Sequence, residues 1–262
     1  MTADAVLTAE VSAPEVSAPA TRRDRVRAAT SQEIIATARR LLVSEGSAAI
    51  TLRAIAREMG MTAPALYRYF GSYQTLIHHL VAEIFNDLSD YVEAEVELAR
   101  ATLGTDRDQS DSTTIGLMTA CQAFRRWAIA HPAEFGMIFG SPLPGIDLYH
   151  EDPLMECGRR FGGIFMNLFV ELWRIKPFAV PADNEIAPQF REQLARYRDL
   201  LGTDLPLGVL QTFLRCWVSL YGTVTLEVFG HMRFALDNPA QMFELMLTDL
   251  AGLIGLRYPL VP

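Results

Sequence analysis

Residues 51–70 read TLRAIAREMGMTAPALYRYF. Leu52, Ile55 and Ala56 recur at helical spacing, and so do Ala65, Leu66 and Tyr69, so the stretch predicts two short helices. Thr51 and Thr62 each precede a helical run, where a hydroxyl can satisfy the first free backbone amides. Pro64 falls in the first turn of the second helix, where its missing N–H is not needed. Gly60 lies between the helices and can take the positive φ of a sharp turn, and Ala56 is small where two helices cross. The pattern is a helix-turn-helix, and its second helix is of the kind that enters a DNA major groove.

The charge distribution agrees with this reading. The chain has 262 residues, half of them hydrophobic, and a net charge of −8, which taken alone argues against a polyanionic partner. Residues 21–80, however, hold nine arginines and four acids, whereas residues 1–20 hold three acids and no Lys or Arg. The positive block therefore coincides with the helix-turn-helix, as phosphate neutralisation requires. Cys121, Cys157 and Cys216 are far apart and form no Cys-x-x-Cys, which fits a reducing cytoplasm and argues against a disulfide framework or zinc site. No apolar run is long enough for a bilayer, and the N-terminus lacks the pattern of a signal peptide, so a cytoplasmic protein without membrane contact is expected.

The segment from about Ser31 to Leu80 resembles the DNA-binding domain of the TetR family of transcriptional regulators. The resemblance rests on Ile34, Ala38, Leu41, Leu42, Gly46, Thr51, Ile55, Ala56, Gly60, the run Leu66-Tyr67-Arg68-Tyr69-Phe70 and Leu76. It implies that Thr51 holds a phosphate at the start of the first helix of the motif and that Arg53 reaches a base edge or phosphate. It implies also that Thr62, Ala63, Pro64 and Ala65 open the recognition helix. Small side chains at Ala63 and Ala65 would let that helix sit deep and touch thymine methyls. Tyr67 and Arg68, and with them Tyr69, match backbone contacts, the alternative for the two tyrosines being ordinary core. Where the family often carries a lysine that contacts phosphate, this chain has Tyr73. Its hydroxyl could still donate one bond, but losing the charge removes about one unit of salt slope per half-site.

The rest of the chain reads as helix throughout, with no period-two stretch. The fold class expected is all-α: a three-helix DNA-binding head with the helix-turn-helix, followed by a larger helical bundle domain. Residues 1–21 form an extension in which VSAP occurs twice, read as disordered; 22–72 form the head, and 73–262 the ligand-binding and dimerisation domain. Thr30 and Glu33 have capping-box spacing and place the first helix at about residue 30. Arg22, Arg23, Arg25 and Arg27 then precede it as a basic arm that touches phosphate or minor groove, or as a solvated lead-in. A long helix from about 73 to 102, with Ile77, Val81, Ile84, Leu88, Val92 and Val96 in phase, would link head to body. Further helices are expected at 112–130, 132–139, 153–175, 189–201, 206–232 and 239–255, with loops at 103–111, 140–153 and 176–188.

A fainter resemblance covers the body. Arg126-Trp127-Ala128-x-Ala130-His131-Pro132, Trp217, Tyr221-Gly222 and Leu226-Glu227 are similar to a ligand-binding domain of some TetR-family members. It implies a homodimer through the last two helices, with a small molecule inside each subunit. Trp127, Met137, Phe139, Phe165, Phe169, Trp173 and Tyr221 are the candidate walls, suited to an apolar or aromatic effector, and Glu227, His131 and Tyr149 the candidate polar handles. Aromatics at helical spacing are also what an ordinary core would show. No catalytic carboxylate pair, nucleophile elbow, phosphate loop or metal-ligand set stands out, so no enzyme, cofactor or metal is expected. Two readings remain for the body: an effector site with a repressor role on a palindromic operator, or a core that answers to a protein partner.

Overall fold

The computed structural model describes residues 21–102, 109–140 and 152–258. Among these lie ten α-helices and no strand. Three build the head: α1 (Arg22–Glu45), α2 (Leu52–Glu58) and α3 (Ala63–Phe70). The long α4 (Tyr73–Ala101) leads into a body of α5 (Gln109–Ala130), α6 (Pro132–Phe139), α7 (Asp152–Ile175), α8 (Pro188–Leu201), α9 (Leu207–Val228) and α10 (Ala240–Leu253). The expected N-terminal extension and parts of the expected loops at 103–111 and 140–153 lie outside the described residues, as does Tyr149.

The turn between α2 and α3 forms as its sequence predicts. Gly60 adopts φ +63°, and the amides of Gly60 and Met61 donate to the carbonyls of Arg57 and Ala56 at 3.2 and 2.8 Å. These two bonds satisfy carbonyls that the end of α2 would otherwise leave open. Thr51 caps α2, its Oγ1 accepting from the Ala54 amide at 3.1 Å. Thr62 occupies the N-cap position of α3 with extended backbone, but its hydroxyl makes no capping bond.

The first helix departs from expectation. It starts at Arg22, because Thr21 and Asp24 form a capping box: Thr21 Oγ1 accepts from the Asp24 amide at 3.2 Å, and Asp24 Oδ2 accepts from the Thr21 amide at 3.1 Å. Thr30 is mid-helix, and its hydroxyl bonds back to the Val26 carbonyl at 3.0 Å. The arginines at 22–27 are therefore part of α1 and not a coil before it. The C-terminal helices are shorter than expected. α9 ends at Val228 because Gly230 turns the chain at φ +70°, with the His231 amide donating to Leu226 O at 2.8 Å.

Head and body share one contiguous core. Ile34, Ala38 and Leu42 of α1, Ile55 and Ala56 of α2, and Leu66 and Phe70 of α3 pack together and onto Leu76, Ile77 and Leu80 of α4. Further along α4, Ile84, Leu88 and Val92 are buried where the helix packs on α5 and α7. α4 spans about 43 Å at 1.5 Å per residue, so a single rigid element lines both halves.

Candidate nucleic-acid interface and body cavity

The amphipathic pattern of α2 and α3 sorts their side chains into two sets. Ile55, Ala56, Leu66 and Phe70 turn into the core, while Thr51, Arg53, Arg57, Thr62, Pro64, Tyr67 and Arg68 are exposed. Ala63 and Ala65 are half-buried between the two sets. Tyr67 is 50% exposed, a large solvent share for an aromatic that core packing could have claimed. Tyr69 points the other way: it packs against the core, and the Arg27 guanidinium lies 5.9 Å over its ring. Arg57 was not singled out in the sequence, although it stands one helical turn after Arg53 on the same face.

Tyr73 differs from the phosphate donor expected. It is half-buried, and its hydroxyl donates to the Ile50 carbonyl at 2.7 Å, tying the start of α4 to the segment before α2. Burial also raises its pKa above the ordinary tyrosine value. The proton that would serve a phosphate is thus already used within the head.

In the body, the aromatic residues pack chiefly against one another. Phe124 is fully buried and has Phe135, Phe139, Phe161 and Phe165 with ring centroids between 5.3 and 6.2 Å away. Trp217 joins this cluster, 5.4 Å from Phe165 and stacked at 6.2 Å on Tyr221. Tyr221 in turn donates to the Phe139 carbonyl at 3.0 Å. Among the seven expected wall residues, Phe165 and Phe169 line a cavity of about 40 Å³ between α5, α7, α9 and α10, with Leu117, Phe213, Trp217 and Leu247 among the other walls. Trp127, Met137, Phe139 and Tyr221 belong to the packing outside it, and Trp173 stacks edge-on against Phe178 at 5.0 Å. A space of 40 Å³ accommodates a few waters at most, against roughly 300 Å³ or more for a drug-sized ligand. Cys121 and Cys216 also line the cavity, and burial pushes their thiols up to about 12 and about 11, so neither is a thiolate near neutrality.

Two expected polar handles are engaged elsewhere. Glu227 holds Arg125 in a two-pronged pair at 2.7 and 2.6 Å, joining α9 to α5. His131 Nδ1 lies 2.9 Å from the Trp127 carbonyl, and the two rings stack at 4.8 Å. Of the residues that carried the fainter resemblance, Glu227 and Tyr221 therefore fasten α9 to α5 and α6, while Arg126 pairs with Glu95 of α4.

Where head meets body, Arg39 of α1 reaches across to Glu134 in the first turn of α6. Its Nε donates to Glu134 Oε1 at 3.1 Å, and its other arm pairs with Asp87 of α4 and approaches Glu83 at 3.8 Å. Burial opposes the Arg39 charge, but the bonds to Asp87 and Glu134 outweigh it and hold the pKa above the ordinary arginine value. Glu83 is shifted upward by its own burial, which the Arg39 charge only partly offsets. An open groove of about 690 Å³ runs along this junction beside Arg39, Arg40, Glu58 and Glu83.

Comparison with known proteins places this arrangement. A family model described as bacterial regulatory proteins of the tetR family matches residues 34–80, and one described as the tetracyclin repressor-like C-terminal domain matches residues 117–250. The HTH-type transcriptional regulator Rv1816 of Mycobacterium tuberculosis is 30% identical over 238 residues, covering 89% of this chain and 95% of its own. The regulator Mb1846 of Mycobacterium bovis matches to the same extent. Among solved structures, the regulatory protein SCO4313 aligns with a TM-score of 0.67 at 27% identity, over 88% of this chain and all of that one. A TetR-family regulator from Shewanella, at 17% identity and TM-score 0.51 over 84% of this chain and 95% of its own, shares the fold. With a helix-turn-helix head whose outward face is polar and cationic, and with both halves matched, the chain belongs to the TetR family of DNA-binding transcriptional regulators.

Proposed function

We propose that this regulator acts as a homodimer on a palindromic operator, most simply as a repressor, and that an apolar small molecule in the body alters its grip on DNA. The observation that carries the dimer is the set of apolar side chains left in solvent at the C-terminal end. Val218 and Leu226 on α9, Phe229 and Phe234 after it, and Met242 and Leu245 on α10 are all exposed, Phe234 at 91%. A two-fold partner covering this face would set two recognition helices about one DNA turn apart, ~34 Å. Thr51, Arg53, Thr62, Ala63, Pro64, Ala65, Tyr67 and Arg68 would then meet each half-site, with Tyr69 braced behind them and Tyr73 held within the head. A cytoplasmic location accords with this role; no helix among the described residues is long and apolar enough to cross a membrane.

The effector reading rests on the cavity that Phe165, Phe169 and Trp217 help to line. At about 40 Å³ it is the closed member of a pair of states, and a ligand would bind only the open one, with leverage equal to its differential affinity. Opening would shift α5 and α7, both packed on α4, and so reach the head through α4 and the Arg39–Glu134 contact. The same tight packing favours a second reading, in which the body answers to a protein partner and takes up no small molecule. Thermal unfolding with a panel of apolar and aromatic compounds separates the two. A concentration-dependent rise in Tm together with altered DNA affinity supports the effector; no rise for any compound supports the protein partner. Light scattering on Leu226→Asp and Leu245→Asp tests the dimer, and retention of the wild-type mass by both variants rules out this face.

A further inference from the structure

The first two turns of α1 carry charge that the rest of the molecule does not use. Every residue from 21 to 29 is exposed, and the first buried residue of the helix is Ile34. This span holds Arg22, Arg23, Arg25 and Arg27 against one acid, Asp24. Asp24 is committed to the capping box, where the Thr21 hydroxyl and amide hold its carboxyl below the usual carboxylate range. Among the described residues, none of Arg22, Arg23 and Arg25 takes part in an ion pair, whereas Arg39, Arg100, Arg125, Arg126 and Arg160 of the head–body junction and body all do.

The position of this span is set by Arg27. Its guanidinium donates to the Arg68 carbonyl at 2.8 Å and covers the Tyr69 ring, so the start of α1 is clamped to the C-terminal end of the recognition helix. Arg23 is one turn earlier on the face that carries Arg27, about 6 Å further along the axis. The ridge Arg27–Arg23 thus has one end fixed at Arg68 and Tyr69 and extends one helical turn from it toward the start of α1. The tetR-family match begins only at residue 34, so the ridge lies outside the matched part of the head.

Given the DNA-binding reading of α2 and α3, on which this inference rests, we propose that the N-terminal two turns of α1 are a second DNA-contacting element. Arg22, Arg23 and Arg25 neutralise the sugar–phosphate backbone flanking each half-site, and Arg27 positions them. Unpaired guanidinium groups beside a recognition helix, in a chain that is otherwise acidic, complement a polyanion and little else. Because the element is helical and capped before DNA arrives, its ordering is already accomplished, unlike that of a coil arm. Phosphate contacts fix register and add affinity without reading bases, so the element strengthens binding and leaves sequence preference unchanged.

The test uses the full chain and a random-sequence duplex of about 40 base pairs, long enough to extend past two half-sites about one turn apart. Its affinity is measured by fluorescence anisotropy across a salt series. R22A/R23A/R25A keeps good helix formers on an exposed surface, so the fold stands. Its slope of log K against log salt should fall by about 0.9 per arginine, roughly 2.7 per subunit. The lysine set R22K/R23K/R25K should restore most of that slope, which a purely structural role would not predict. Shortening the duplex to the length that the two recognition helices span should erase the difference between wild type and the alanine variant. An alanine variant with wild-type slope and affinity, while Arg53→Ala weakens binding, overturns the second element and leaves the head reading intact. A wild type that shows no salt-dependent binding overturns both.

Discussion

Replacing Arg39 by Met removes a guanidinium that joins α1 to α6. Glu134 is then left 5% exposed without the Nε donor that now lies 3.1 Å from Oε1. Removing one partner of a buried pair costs about 3–5 kcal/mol, because the other charge stays desolvated. Arg39 is itself 22% exposed, and its second partner, Asp87, is nearly half in solvent and recovers hydration when released. The loss should therefore fall at about 2–3 kcal/mol, below the fully buried figure. For a chain of this size that is a fall in Tm of roughly 5 °C. A double-mutant cycle isolates the contact. In R39M/E134L both charges are gone and the site is apolar, so this variant should be more stable than R39M alone. Urea unfolding of the four proteins gives the coupling, expected at about 1.5–2.5 kcal/mol between positions 39 and 134. A coupling under about 0.5 kcal/mol, the level of a solvent-exposed pair, refutes the argument that burial of Glu134 makes this contact strong.

Three further outcomes follow from other contacts. Tyr73→Phe should cost about 0.5–1.5 kcal/mol through loss of the bond to Ile50 O, while the salt slope of DNA binding stays at the wild-type value; a lower slope would return Tyr73 to the phosphate contacts. Glu171 is partly desolvated, which raises its pKa, but bonds from Thr113 and Arg100 outweigh this and hold it below the ordinary glutamate value. Its contribution is thus complete above the unfolded value and is lost as pH falls through the native one, so the stability gap between wild type and Glu171→Gln should close on acidification, as read by urea midpoints between pH 7 and 3. Cys121 is buried and Cys216 partly so, their thiols displaced to about 12 and about 11, whereas Cys157 is part-exposed with a smaller upward shift from burial. Iodoacetamide at neutral pH should label Cys157 first, followed by mass spectrometry, and faster labelling of Cys121 in the native protein would show that the cavity opens readily.

The twenty residues from Thr51 to Phe70 were legible by themselves because every signal they carry is local. A cap bonds three residues on, a glycine turn closes within five, and apolar spacing sets one face of a short helix. The same locality made the number of helices and the long linking α4 readable. It also explains the error at α1. Thr21 and Thr30 each precede an acid by three residues, so capping-box spacing offers two starts; the box that forms is Thr21–Asp24, and the helix it opens carries Arg27 onto Arg68, 41 residues away, and Tyr69.

Sequence alone determined that the head is a helix-turn-helix, that positive charge gathers there and that the body is a helical bundle rich in aromatics. Tertiary structure decided what those side chains do. Tyr73 meets Ile50 across 23 residues, Arg39 meets Glu134 across 95, and Arg125 meets Glu227 across 102. Periodicity specifies which face of a helix a side chain occupies, but not which helix faces it or at what distance. That separation divided the expected pocket residues, leaving Phe165 and Phe169 at a cavity of about 40 Å³ and enclosing Trp127 and Met137 in close-packed core, with the partly buried Phe139 against it.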